Sequence, residues 1–151
     1  MHNRREILTG MTASIAGLPL ATILGDPKLA HAAASLLERH SMKLTHGKTV
    51  SAYLGLPKRT PAPAVVLFHE WWGVNDQIKA VAQEFAEKGY VALAVDLFDG
   101  RVATVRNDAK RLMGRVGRAE ALEISRKWLQ WLKSQESVNG KLATIGWCFG
   151  G

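Results

Sequence analysis

The chain has 151 residues, 47% of them hydrophobic, with 20 basic and 13 acidic side chains for a formal net charge of +7. That is enough apolar material for one domain with a packed core. The basic bias comes without zinc-finger spacing, an RNA-recognition signature or a long Lys/Arg block, so a nucleic-acid partner is not expected. A single cysteine, Cys148, excludes an internal disulfide framework. The five histidines form no HExxH pattern, so no metal is expected.

At the N-terminus, Arg4-Arg5 precedes a mostly apolar, small-residue stretch from Ile7 to Gly25, then Asp26-Pro27-Lys28 and the triplet Ala30-His31-Ala32. Charged head, apolar middle and small-x-small site together predict an export signal over residues 1–32. The order Asn3-Arg4-Arg5-Glu6-Ile7-Leu8 resembles the twin-arginine class, which implies the twin-arginine export machinery as a partner and a periplasmic or secreted location. Gly17, Pro19 and Gly25 interrupt the apolar stretch, which argues against a stable membrane span. The competing readings are a surface amphipathic helix and a retained anchor. On the export reading, the folded domain is 33–151.

Residues 42–56 alternate loosely through Met42, Leu44, Val50, Ala52, Leu54 and Leu56 around Gly47, which predicts a hairpin. Pro57 to Pro63 is a surface connection. Val65–Phe68 is a continuous apolar run, as expected of a strand covered on both faces, and it ends in His69-Glu70. Ile78, Val81, Ala82, Phe85 and Ala86 have helical spacing, closed by Gly89. A second buried run, Tyr90–Val95, ends in Asp96. Residues 105–133 read as helix, with apolar positions Val105, Ala109, Leu112, Met113 and Val116, then Leu122, Ser125, Trp128, Leu129 and Leu132; Gly114 and Gly117 mark a break into two pieces. Asn139-Gly140 reads as a turn before a third run, Leu142–Trp147, that ends in Cys148. The order hairpin, strand, helix, strand, helix, strand predicts an α/β fold with a mostly parallel sheet covered by helices. Glu70, Asp96 and Cys148 then fall at one sheet edge, where open α/β sheets bind ligands.

The sharpest motif is Gly146-Trp147-Cys148-Phe149-Gly150-Gly151, the G-x-nucleophile-x-G spacing of a nucleophile elbow with cysteine in place of serine. Such an elbow is a strained strand-to-helix turn that leaves no room for a Cβ at positions 146 or 150. Gly151 is expected to let the following helix pack close to the strand, its N-terminal amides favouring thiolate. A buried structural cysteine and a redox thiol are the alternatives. In a hydrolase of this kind the loop after the first buried strand supplies one oxyanion-hole amide, here Trp71, and the residue after the nucleophile supplies the other, Phe149. Glu70 is either a surface residue of that loop or a carboxylate acting on the cysteine, partly desolvated by Trp71 and Trp72. His69, at a strand end in the same loop, is a poor candidate for the general base.

Three blocks, His69–Ile78, Gly89–Phe98 and Gly140–Gly151, resemble the dienelactone hydrolase family, also called carboxymethylenebutenolidases, over about residues 40–151. The resemblance implies an α/β-hydrolase fold and cleavage of an enol-lactone ester bond by a Cys-His-Asp triad without cofactor. It assigns Cys148 as nucleophile, Glu70 as the glutamate that contacts the resting thiol, and the Trp71 and Phe149 amides as oxyanion donors. It also implies an arginine that holds the substrate carboxylate; Arg101 and Arg111 are the candidates, among six basic residues between 101 and 118 whose general role is a solvated face. The family's aspartate and histidine follow the nucleophile in chain order, beyond residue 151, so the chain reads as a hydrolase truncated after its elbow and inactive alone. A broader carboxylesterase or thioesterase, acting on a small-molecule ester, and a non-catalytic binding protein are the rival functions.

Overall fold

The structure, a computed structural model, describes residue 15 and residues 17–151. Two short helices open the described chain: α1 (Leu20–Gly25) and α2 (Pro27–Ala34). The remaining order is β1 (Glu38–Lys43), β2 (Thr49–Gly55), β3 (Ala62–Phe68), α3 (Asp76–Glu87), β4 (Val91–Val95), α4 (Arg106–Arg115), α5 (Arg118–Lys133) and β5 (Val138–Gly146), with a single 3-10 turn over Cys148–Gly150. Among the described residues the strands form one five-stranded sheet in the order β1-β2-β4-β3-β5. β1, β2 and β4 pair antiparallel, whereas β4, β3 and β5 run parallel, so the antiparallel lead-in joins a parallel core as expected.

β3 and β4 are buried on both faces, and the pleat sorts their side chains. Val66, Leu93 and Val95 point to one layer, where Ile124, Trp128 and Leu132 of α5 meet them. Val65, Leu67, Ala92 and Ala94 point to the other, against Ile78 and Ala82 of α3. α3 begins where the Asn75 side chain accepts the Ile78 N–H at 3.0 Å, and it ends before Gly89, whose φ of +96° only glycine adopts readily. The connection β3–α3–β4 moves to one side of β3, and β4–α4–α5–β5 returns to its other side. The chain therefore diverges at the β3/β5 boundary, and loops leaving the carboxyl ends of those two strands open a crevice.

Three expectations need correction. Asn139-Gly140 is not a turn ahead of β5 but an irregularity inside it. The register jumps between Ala62↔Val138 and Ala64↔Leu142, Gly140 has φ +86°, and the Asn139 side chain accepts the Lys141 N–H at 3.1 Å. The long helix does break at Gly117, the N-cap of α5, but not all of its expected apolar positions are inside. Val105, Met113 and Leu122 are exposed, and Ile124, not among those positions, is in the core. The hairpin starts earlier than Met42 and ends before Leu56, which is exposed.

Of the segment expected to be an export signal, Arg4 and Arg5 lie outside the described residues. Ile23, Ala30, Ala32, Ala33 and Ala34 are buried, and Ile23, Ala32 and Ala33 form a cluster with Ala80 of α3 and Ile15. No helix among the described residues is long and apolar enough to cross a membrane.

Candidate active site

β5 delivers Cys148 to the crevice. The last rung of the sheet is the Trp147 N–H donating to the Phe68 carbonyl at 3.4 Å. Cys148 then adopts φ +53°, a left-handed conformation that a side chain other than glycine's occupies at a cost of about 1–2 kcal/mol. The chain folds back at once: the Gly150 N–H donates to the Trp147 carbonyl at 2.9 Å and the Gly151 N–H to the Cys148 carbonyl at 3.2 Å. The thiol is left exposed on the turn.

The flanking glycines are required by space. A Cβ on Gly146 would lie 1.9 Å from the Gly150 carbonyl oxygen, and a Cβ on Gly150 would lie 2.6 Å from the Phe68 oxygen and 2.8 Å from that of His69. The elbow is thus pressed against the end of β3, the strand that leads to Glu70. At Gly151 an added Cβ would meet the Cys148 oxygen at 3.4 Å, an ordinary contact. Below the elbow the Phe149 ring packs on Phe98, with centroids 5.2 Å apart, and on His69 at 6.2 Å. The ring is anchored, while the Phe149 N–H donates to no protein acceptor among the described residues; the same holds for the Trp71 N–H.

His69 is wholly buried and fully engaged. Its Nε2 accepts the Leu97 N–H at 3.0 Å, so the proton sits on Nδ1, which donates to the Glu70 carbonyl at 2.6 Å. Burial holds its pKa below the ordinary imidazole value, against the opposing pulls of the Glu70 carbonyl and the Asp96 charge. Neither nitrogen is free to take a proton from the thiol. Asp96 also reaches the expected edge but turns inward: its carboxylate accepts the Phe98 N–H at 2.8 Å and the Gly100 N–H, fixing the loop that carries Arg101.

Glu70 is half-buried, and its carboxylate has no hydrogen-bond or ion-pair partner among the described residues. It lines a cavity of about 220 Å³ with Leu24, Gly73, Asn75, Ile78 and Trp147. The tryptophan beside it is therefore Trp147 of the elbow motif. Trp71 and Trp72 pack edge-to-face on each other, centroids 5.1 Å apart, and neither lines that cavity. Gly73 was not singled out from the sequence. Its φ is +93°, and a Cβ there would lie 2.4 Å from the Arg101 carbonyl oxygen, while the Ala103 N–H donates to the Trp72 carbonyl at 2.9 Å. A glycine directly after two bulky aromatics in a strand-end loop was the available signal.

Those contacts separate the two candidate arginines. Arg101 sits on the loop zipped to the Glu70 loop. Arg111 lies on the exposed side of α4 in an ion pair with Asp108. Both line a surface cavity of about 370 Å³ with Arg115 and Leu112, and neither lines the Glu70 cavity. Among the described residues no group of three or more His, Cys, Asp or Glu is placed to hold a metal.

The family model for the dienelactone hydrolase family matches residues 50–151. The chain is 32% identical over 115 residues to the protein usf of Aquifex pyrophilus, covering 70% of this chain and 48% of that one. It is 26% identical over 125 residues to a carboxymethylenebutenolidase of Pseudomonas putida, covering 77% and 53%. Its fold superposes on the solved structure named m3DLH with a TM-score of 0.62 at 30% identity, covering 76% of this chain and 51% of that one. The chain thus spans about half the length of the curated relatives it matches. An α/β-hydrolase core, a cysteine on a strained elbow and a family match that runs through both place the chain in the dienelactone hydrolase family.

Proposed function

We propose that the protein to which this chain belongs hydrolyses an ester or enol-lactone bond with Cys148 as the nucleophile. The observation that carries this reading is the φ of +53° at Cys148, held between two glycines that admit no Cβ. Strain of this kind persists only where the surroundings enforce it, and here it lifts a thiol to the carboxyl edge of the parallel strands.

The reaction is acyl transfer. The Cys148 thiol loses its proton to a base, the sulfur adds to the ester carbonyl, and the resulting oxyanion lies between the Trp71 and Phe149 amides. Collapse of the tetrahedral intermediate expels the alcohol or enolate, and water then cleaves the thioester. His69 does not serve as the base; the family resemblance implies a triad histidine that follows the nucleophile in chain order. Glu70 is the carboxylate that the family resemblance sets against the thiol before substrate arrives; in this structure it makes no hydrogen bond to Cys148 and faces its own cavity instead. Arg101 is the better placed of the two arginines to meet a substrate carboxylate, because its loop is joined to the Glu70 loop. No cofactor takes part.

The test uses the full-length protein. Hydrolysis of a carboxylated lactone and of a neutral short-chain ester is compared in wild type, Cys148→Ala and Arg101→Gln. The reading expects Cys148→Ala to abolish both activities and Arg101→Gln to weaken only the carboxylated substrate. Unchanged turnover in Cys148→Ala sinks it. Equal loss of both substrates in Arg101→Gln removes the arginine assignment and favours a broader esterase.

We also read the Arg4-Arg5 head and the apolar stretch behind it as an export signal of the twin-arginine class, giving a periplasmic or secreted protein. N-terminal sequencing of protein recovered from the periplasmic fraction tests it; recovery of all the protein in the cytoplasm rejects it.

A further inference from the structure

We propose that the segment from Leu18 to Ala34 docks on α3 as a removable wall of the Glu70 cavity, with Leu24 closing that cavity and the Ala30-His31-Ala32 triplet shielded from proteolysis for as long as the segment stays docked. The proposal takes from the preceding reading only that the Glu70 cavity belongs to the reacting site.

The segment is built to fold against the domain. Asp26 caps α2 by accepting the Lys28 N–H at 2.8 Å, and Pro27 occupies the first turn, where its missing N–H costs nothing. The helix that follows is nearly all small: Ala30, Ala32, Ala33 and Ala34 are buried, and Ala32 and Ala33 share a cluster with Ala80 of α3. Alanine on both helices allows close approach. Leu18, Leu24, Leu29 and Leu36 ring that contact. At the polar margin His31 Nδ1 donates to Asp76 Oδ2 at 2.9 Å, and Gln77 Nε2 donates to the Leu24 carbonyl at 3.3 Å. The second bond places α1 over the start of α3, and Leu24 there joins Glu70, Gly73 and Trp147 around one cavity. A residue of the leading segment and three residues of the two loops at the sheet edge thus enclose the same space.

Two consequences follow. Ala30, Ala32 and the bond that follows Ala32 lie within α2, whose alanine face is buried, and a peptidase needs an extended strand of substrate. Cutting there requires α2 to undock first. Once the segment leaves, the Glu70 cavity loses its Leu24 side and widens toward solvent. Processing or displacement of the segment is then coupled to the shape of the site.

The test uses the whole protein with two substitutions. Ala33→Glu places a carboxylate at a buried position and is expected to undock α2; trypsin cleavage after the exposed Lys28 should then accelerate about tenfold or more, because a buried unpaired charge disfavours the docked state by at least that factor. Leu24→Ala leaves the docking alanines intact and trims the wall together with one leucine at the margin of the docking contact. Its readout is the Trp147 indole N–H resonance, identified through Trp147→Phe. That resonance should move in Leu24→Ala and in Ala33→Glu, while the indoles of Trp128 and Trp131, which belong to α5 on the far side of the sheet, stay in place. Equal cleavage after Lys28 in wild type and Ala33→Glu would overturn the docking, and an unmoved Trp147 indole in Leu24→Ala would overturn the wall. Neither readout needs turnover, so a failure of the hydrolase reading would leave both results standing.

Discussion

Gly146→Ala is the most informative single perturbation of the elbow. The added methyl would sit 1.9 Å from the Gly150 oxygen and 2.5 Å from its carbonyl carbon. An ordinary C···O contact is about 3.3 Å, so one backbone segment must retreat by roughly 1.4 Å. Gly150 cannot retreat toward β3, because its own α-carbon already faces the Phe68 and His69 oxygens too closely to carry a Cβ. The displacement therefore falls on the Cys148 turn. Overpacking of this severity costs about 3 kcal/mol, partly offset by roughly 0.5 kcal/mol from the stiffer unfolded chain. Urea denaturation should show a lower midpoint at unchanged slope. The rate of Cys148 alkylation should change as well, since the thiol moves with its turn. A Gly146→Ala protein within about 0.5 kcal/mol of wild type, with unaltered alkylation, would refute the steric reasoning.

Other substitutions probe separate links. Cys148→Gly removes the Cβ from a left-handed residue and is expected to raise stability by about 1 kcal/mol, whereas Cys148→Ser should leave it near wild type; both are read from denaturation midpoints. Gly114 lies inside α4 with nothing within 4 Å of its missing Cβ, so Gly114→Ala should stabilise by about 0.5–1 kcal/mol in the same assay. Burial lowers the His69 pKa, so the unfolded imidazole takes up a proton near its ordinary value, about 6.5, while the folded one resists until lower pH. Stability should therefore be fully present above about pH 6.5 and decline as pH falls below it. His69→Gln, which can donate to the Glu70 carbonyl and accept from the Leu97 N–H, should flatten that decline; an unchanged slope between pH 8 and pH 5 would argue against it.

How much of this could be read beforehand depended on whether local pattern or distant contact set the outcome. β3 and β4 were legible because burial on both faces removes alternation, leaving Val65–Phe68 and Val91–Val95 as unbroken apolar runs. The elbow was legible because Gly146 is dictated by a contact four residues on, with Gly150, although Gly150 itself answers to the Phe68 and His69 oxygens at the end of β3. β1 was hard to see over Glu38–Ser41: it is an edge strand of polar residues, held through Ser41, Ser51 and Arg39 side chains and its pairing with β2. Asn139-Gly140 reads as a turn locally, yet β3 captures Val138 across the irregularity and extends the strand. Arg101 and Arg111 were indistinguishable by composition. Their difference lies in long-range closure of the Arg101 loop on Gly73 and in the local Asp108 partner of Arg111. The alanine-rich segment before β1 has the composition of an export signal, and nothing local announces its seat on Ala80.

The central claim is that Cys148 carries the acyl group. The most direct measurement is intact-mass and peptide mapping of the full-length protein quenched during turnover of an activated ester. The account predicts a mass increase equal to one acyl group, located on the peptide containing Cys148 and lost in Cys148→Ala or on treatment with hydroxylamine. Acylation found on another residue while Cys148 stays unmodified would contradict it.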